Sequence, residues 1–210
     1  LLLMILMRMV NGTSLKISKI IKFMKIVIIL ITFIFSFQSW TKADDIGDFE
    51  IEEISIGASA LNFFSLNELK SNLSIPPNLE NSEYDQSCFG NMGNTYDRIC
   101  IGYKRKDKKK TIDFIQGQII YKKEVHNICR KKQKEIDKEL SQLFVNLERV
   151  DWGKLMLTAL KDLDPDAYYH PITYEFDDKS RAQVGCYFIN NHTRLKVGVY
   201  TPEYGLIIRN

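Results

Sequence analysis

Four cysteines, Cys88, Cys100, Cys129 and Cys186, restrict the fold of this 210-residue chain more than any other feature. An even number of cysteines in an exported domain is typical of two disulfides. The chain lacks the C-x-x-C and H-x-x-x-H spacings of a zinc site, which argues against a metal. Two disulfides are therefore our first prediction, and one bridge with two free thiols is the alternative.

The residues that precede the cysteines are typical of a secretory signal. Met24 is followed by a lysine, by an almost unbroken apolar run over residues 26–37, and by small residues that end at Ala43. The run is shorter than the ~20 residues that span a bilayer. We expect translation to start at Met24, a leader over residues 1–43, and one domain over residues 44–210. The domain is predicted to be periplasmic or secreted, with an uncleaved N-terminal anchor as the alternative.

The charge of the predicted domain differs from that of the whole chain. Six of the 29 basic residues and none of the 26 acidic residues lie in the leader, which leaves the domain with a net charge of −3. A nucleic-acid-binding domain is normally basic. The balance therefore argues against a nucleic-acid partner.

Periodicity selects one pairing of the cysteines. Apolar residues in 125–147 recur at intervals of three and four, which predicts an amphipathic helix with Cys129 on its apolar face. Residues 182–189 alternate as in a strand that has Cys186 on its apolar side. A Cys129–Cys186 bridge between helix and sheet is the preferred pairing, and the other two cysteines then pair with each other.

The remaining segments predict short strands and helices in an α+β fold: an antiparallel sheet covered on one face by one long helix and one or two shorter ones. A capping box at Ser65 and Glu68 marks a short helix. Further predictions are a loop at 74–94, a hairpin of strands 96–103 and 111–121 with a bulge or close approach at Gly117, a second helix at 152–163 capped by Asp151, and strands at 174–176, 182–189 and 195–200.

Three groups of residues were weighed as sites. The lysine-rich turn at 104–110 could bind phosphate or lipid head groups, although such a turn is more often a solvated hairpin tip. Residues 162–166 carry three aspartates in the spacing that opens a calcium loop, but Ala167 and Thr173 replace its glycine and glutamate. Aromatic residues that could line a ligand pocket are Trp152, Tyr168 and Tyr169.

A cysteine nucleophile is the one catalytic arrangement that the sequence offers. His126 lies three residues before Cys129, which brings the two side chains close together on a helix surface. A bridged Cys129 would remove this pair. We therefore predict no catalytic, metal or cofactor-binding residues.

Several stretches match one group of proteins. They are ISIGASALNFFSLNEL at 54–69, I-x-G-x-I-I-Y at 115–121, C-x-K-K-x-x-E-I at 129–136, and the ending V-G-C-Y-F with RLKVGVYTPEY. In these stretches the chain resembles uncharacterised small secreted proteins of marine Pelagibacter-type alphaproteobacteria. The resemblance implies an exported α+β domain with the Cys129/Cys186 pair and implies no activity. The chain departs from that group at Ala58, where an acidic residue is expected, and in the segment around Trp152.

The functional hypothesis is an exported, non-catalytic domain that binds an envelope protein or a small ligand, touches the membrane only through an uncleaved leader, and needs no cofactor. The alternative is a small cysteine-dependent hydrolase or redox enzyme. A third option is a protein that binds a membrane surface through the lysine-rich turn.

Overall fold

One large antiparallel sheet organises the part of the chain that the computed structural model describes, residues 46–76, 79–90, 92–93, 95–121, 125–190 and 192–209. The predicted leader, 1–43, lies outside the described residues. The strands are β1 Glu50–Ile51, β2 Ile54–Ser55, β3 Tyr84–Gly90, β4 Arg98–Lys104, β5 Ile112–Tyr121, β6 Glu148–Asp151, β7 Leu155–Met156, β8 Tyr168–Glu175, β9 Arg181–Ile189 and β10 His192–Tyr200. The helices are α1 Leu66–Ser71, α2 His126–Leu143 and α3 Pro202–Arg209.

The eight-stranded sheet has the order β3-β4-β5-β10-β9-β8-β6, and β7 pairs with β8 on the same side as β6. All of its strand pairs are antiparallel. β1 and β2 form a separate hairpin. The predicted α+β class is confirmed.

The side chains of β10 define the two faces of the sheet because they alternate along the strand. We call the face that carries Leu195, Val197 and Val199 the inner face, and these three belong to the main apolar core. We call the opposite face, which carries Arg194 and Lys196, the outer face.

Helix α2 covers the inner face. Its buried residues Cys129, Gln133 and Leu140 are spaced by four and seven, so they lie on one stripe against the sheet. The short helix α1 begins with the predicted capping box, in which Ser65 and Glu68 exchange hydrogen bonds. The predicted short helix and the predicted long helix are therefore present, and α2 is shorter than the predicted 125–147.

Helix α3 lies on the outer face and was not predicted from the sequence. The Tyr204 ring stacks on Phe114 at 4.7 Å and meets Tyr84 edge-on at 5.2 Å. It passes so close to Gly102 that a Cβ there would lie 2.5 Å from the ring. A second, smaller apolar cluster therefore covers one end of the outer face.

The predicted helix at 152–163 is wrong. Residues 148–156 form the edge strand β6–β7 beside β8, and only Thr158–Leu160 turns as a 3-10 helix. Asp151 pairs with Ile172 and Leu155 with Tyr169, so the edge strand holds one extra residue there, a bulge in which Gly153 has φ +66°. Hydrogen bonding to β8 thus overrides the helical spacing.

The predicted loop at 74–94 is wrong in part, because β3 lies within it. β3 pairs with β4 along its whole length, and the Cys88–Cys100 pair is part of that register.

At Gly117 the prediction of a close approach is confirmed: a Cβ would lie 2.6 Å from the Tyr96 ring. Among the described residues, no helix has the length and hydropathy needed to cross a membrane.

Candidate functional site

The four cysteines form the two disulfides that the sequence predicted. Cys129 is joined to Cys186, and both are completely buried between α2 and the inner face. Cys88 is joined to Cys100 across β3 and β4, with a Cα–Cα distance of 4.0 Å. The second disulfide belongs to the outer-face cluster. The two bridges therefore reinforce opposite faces of the sheet.

The Cys129–Cys186 disulfide also determines whether His126 and Cys129 can act as a catalytic pair. Since Cys129 carries no thiol, it supplies no thiolate for nucleophilic attack. His126 instead stacks on Phe188 at 4.1 Å, and its Nδ1 lies 2.5 Å from the Tyr168 hydroxyl oxygen. The cysteine-enzyme alternative loses its nucleophile.

Three of the six positive side chains of the lysine-rich turn contact the rest of the protein. Lys104 Nζ lies 2.6 Å from a Glu203 carboxylate oxygen, and Arg105 Nε lies 2.8 Å from Asp85. Lys110 Nζ donates to the Arg105 carbonyl oxygen at 2.6 Å. A cleft of about 460 Å³ opens beside the turn, but Asp107, Asp113 and Glu203 are among its lining residues. The acidic lining disfavours phosphate or lipid head groups.

Of the aspartates in 162–166, Asp164 acts as a turn cap. Asp164 accepts backbone N–H bonds from Asp166 at 3.2 Å and from Asn190 at 2.6 Å. Within the described ranges, no group of three or more His, Cys, Asp or Glu side chains is arranged to hold a metal ion. The Asp164 carboxylate therefore connects two loops of the fold.

A row of polar side chains crosses the middle of the outer face. The register places Arg98 of β4 beside Gln118 of β5, Gln118 beside Lys196 of β10, and Lys196 beside Gly185 of β9. Arg194 lies two residues from Lys196 on the same face of β10. Three cations thus gather on β4 and β10, the two strands that flank β5. We call Arg98, Arg194, Lys196 and Gln118 the basic row.

The basic row has no acidic partner in the part of the chain that the structure describes. The ion pairs found there involve other residues. One Arg98 guanidinium nitrogen donates to the Ser74 hydroxyl at 3.3 Å. Within the described residues, therefore, no carboxylate compensates the positive charges of Arg98, Arg194 and Lys196.

Tyrosines stand directly beside the cations. Lys196 Nζ lies 4.2 Å from the centre of the Tyr187 ring, and Tyr187 stacks on Tyr169 of β8 at 5.0 Å. Gln183 donates from its amide to the Tyr187 hydroxyl oxygen at 2.9 Å, which fixes that ring. Gly185, the neighbour of Lys196 across the sheet, lies under the Tyr187 ring, which a Cβ there would approach to 3.2 Å. The arrangement is a cationic surface with an aromatic wall.

Two buried polar atoms in this row have no hydrogen-bond partner among the residues that the structure describes. Gln118 is only 5% exposed, and its Oε1 accepts no hydrogen bond, while its amide nitrogen donates to Gln116 at 2.9 Å. The Nε of Arg194 is likewise buried without an acceptor. Buried polar groups are normally satisfied, so an open donor and an open acceptor in one row indicate capacity for a polar ligand.

The surroundings of the row shift its ionisation. Burial, and then the charges of Arg194 and Arg98, lower the pKa of Lys196 to about 8. Burial, and then Arg194, lower the pKa of Arg98. Burial raises the pKa of Tyr187 and of Tyr169, so both keep their hydroxyl protons. The shifts of Lys196 and Arg98 have the sign expected of crowded, poorly hydrated cations, and those of the two tyrosines have the sign expected of burial.

Protein-family models, curated protein sequences and solved structures were each compared with this chain, and none of them matches it.

The basic row was not predicted from the sequence, although part of its signal is there. In HTRLKVGVY the cations alternate with Leu195 and Val197, which already places Arg194 and Lys196 opposite the core. Arg98 and Gln118 are far away in the chain, and only the register brings them alongside. Of the predicted aromatic residues, Tyr169 lies beside this row, Tyr168 lies on the inner face, and Trp152 donates from its indole to Thr173.

Proposed function

We propose that this protein is an exported, non-catalytic domain that binds an anionic ligand on the outer face of its sheet. The observation that carries the proposal is the basic row: Arg98, Arg194 and Lys196 lie together with no acidic side chain paired to them in the described residues.

Grouping three cations costs free energy unless an anion joins them. Arg98 and Lys196 lie two strands apart, roughly 10 Å, where two like charges repel by on the order of 1–2 kcal/mol at an effective dielectric of about 20. A bound carboxylate or phosphate turns this repulsion into attraction and also accepts the open Arg194 donor. The row therefore suits an anion better than it suits water.

The tyrosines restrict the shape and polarity of the uncharged part of the ligand. The Tyr187 and Tyr169 rings present apolar area beside the cations, and the Gln118 oxygen supplies an acceptor. A ligand with an anionic group attached to a flat or ring-shaped part can contact the cations, the tyrosine rings and the Gln118 oxygen. An apolar wall with a few placed polar groups is typical of small-molecule sites.

Export is supported by the cysteines. Both disulfides persist best in an oxidising compartment, and a cytosolic thiol pool would tend to reduce them. The predicted leader agrees with this location. Together they support a ligand in the cell envelope or outside the cell.

Benzoate and benzamide form a matched pair of probes for the proposal, because they share a shape and differ in charge. The protein is purified with both disulfides intact and titrated with each probe while its backbone amide resonances are followed. We expect benzoate to shift amides of β9 and β10 around residues 183–198. Benzamide should bind at least about tenfold more weakly, since it loses one charge-assisted contact.

Variants distinguish binding at the basic row from non-specific binding elsewhere on the protein. R98Q/R194Q should reduce benzoate affinity to the level of benzamide, whereas K134R, a change on the exposed side of α2, should leave it unchanged. Equal binding of the two probes, or benzoate shifts that cluster away from β9 and β10, would refute the proposal.

A further inference from the structure

We propose that Lys196 forms an imine with the carbonyl group of a keto acid whose carboxylate is held by Arg98 and Arg194. This inference rests on the proposed anionic site and names the class of ligand for it. The juxtaposition that carries it is an amine that shares one face of the sheet with two guanidinium groups, where no carboxylate pairs with any of the three in the described residues.

The position of Lys196 is that of a nucleophile. Its neighbours across the sheet are Gln118 and Gly185, so one side carries an amide and the other side is bordered by the Tyr187 ring, which lies over Gly185. The Tyr187 ring lies 4.2 Å from Nζ and restricts its motion. A carboxylate bound by the arginines puts the adjacent carbonyl carbon within reach of the amine. Because the bound carboxylate already holds the two groups close together, the entropy cost of bringing them together no longer adds to the reaction barrier.

The electrostatic surroundings favour the free amine. The charged and titratable groups that face Lys196 are Arg194 of β10, Arg98 of β4, Tyr187 of β9 and Tyr169 of β8. Burial and the two arginines lower its pKa to about 8, against an ordinary value of 10.5. Near neutral pH the fraction of free amine is therefore on the order of a hundredfold above that of an ordinary lysine. A desolvated lysine next to another cation is a known way to activate an amine for Schiff-base formation.

The step balances without an external oxidant or reductant. The Nζ lone pair forms a bond to the carbonyl carbon, and the carbonyl oxygen takes up a proton to give a carbinolamine. The carbinolamine hydroxyl then leaves as water after a second protonation, and the nitrogen loses protons to solvent. The product is an imine between Lys196 and the keto acid, and one molecule of water is released.

Pyruvate is the probe, because it is the smallest keto acid. The disulfide-intact protein is incubated with pyruvate, quenched with borohydride, digested, and mapped by mass spectrometry for a reduced carboxyethyl group on each lysine. We expect labelling of Lys196 at least about tenfold above the exposed Lys134, with a pH midpoint near 8. Acetone, which has the carbonyl but no carboxylate, should label Lys196 at least about tenfold less.

Two controls separate the possible failures. K196R should abolish this adduct, K134R should retain it, and lactate, a carboxylate without the carbonyl, should compete with pyruvate without reacting. Benzoate binding with no preference for Lys196 in the pyruvate map overturns the imine and leaves the anionic site standing. Loss of both benzoate binding and the adduct overturns both proposals.

Discussion

At the scale of single residues, Gln133 is the polar side chain that most directly joins helix to sheet. It is fully buried and donates from its amide nitrogen to the carbonyl oxygens of His170 at 2.6 Å and Val184 at 3.1 Å. Its oxygen accepts from Arg130. We expect Q133L to lower the free energy of unfolding by about 1–3 kcal/mol, because buried acceptors lose their donor.

Urea denaturation measures this loss. The control is Q142L, a change on the exposed side of α2. Its free energy of unfolding is expected to stay within about 0.5 kcal/mol of that of the unmodified protein. If the two variants proved equally stable, the amide bridge would contribute nothing.

Single residues were also where sequence reasoning was most reliable. Cys129 and Cys186 each lie on an apolar stripe that fixes their direction, and Ser65 with Glu68 matches a local capping pattern, so both predictions needed only neighbouring residues. Arg98 belongs to the basic row only through the pairing of β4, β5 and β10. No local pattern contains that pairing, and the candidate site therefore could not be predicted.

At the scale of elements, Asp137 ties α2 to the far edge of the sheet. Its carboxylate receives two hydrogen bonds from the Arg149 guanidinium of β6, both 2.8 Å long, and one from the Tyr174 hydroxyl of β8 at 2.6 Å. Burial alone would raise the pKa of Asp137, but the bonds from Arg149 and Tyr174 outweigh it and hold the pKa below its usual value.

A depressed carboxylate pKa stabilises the fold above the unfolded-state pKa, and this contribution disappears as the pH falls through the folded-state pKa. We expect D137N to cost about 1–3 kcal/mol at pH 7, in the range of hydrogen bonds to charged groups. The gap between D137N and the unmodified protein should shrink on moving to pH 3, because a protonated carboxyl resembles an amide. Urea unfolding at the two pH values measures it, and a gap that does not change with pH would contradict the assignment.

The edge strand shows why an element can be misread. Trp152, Leu155 and Met156 have helical spacing, yet Trp152 is 49% and Met156 is 47% exposed, so they do not form a buried stripe. Gly153 adopts a positive φ, which an α-helix does not accept. The open edge of β8 offered hydrogen bonds that the spacing could not reveal. Hydrogen bonding to β8, a strand that is distant in the sequence, therefore determines the structure of this segment.

At the scale of the whole molecule, the sheet separates two apolar clusters, and each contains one disulfide. The larger cluster, under α2, includes Cys129 and Cys186. The smaller one, under α3, includes Cys88 and Cys100. The basic row lies on the same face as the smaller cluster but contains none of its members. The apolar packing thus leaves the middle of the outer face to polar side chains.

The lengths of the two disulfide loops predict different contributions to stability. The sequence separation is 57 residues for Cys129–Cys186 and 12 for Cys88–Cys100. In the chain-entropy description, closing these loops in the unfolded chain corresponds to about 4 and about 3 kcal/mol. We expect C129A/C186A to lose about 1 kcal/mol more unfolding free energy than C88A/C100A, because the longer loop restricts more of the unfolded ensemble. Urea denaturation of the two double variants, each with its remaining disulfide intact, makes the comparison. An equal or reversed loss would mean that side-chain packing around each bridge, rather than chain entropy, sets its contribution.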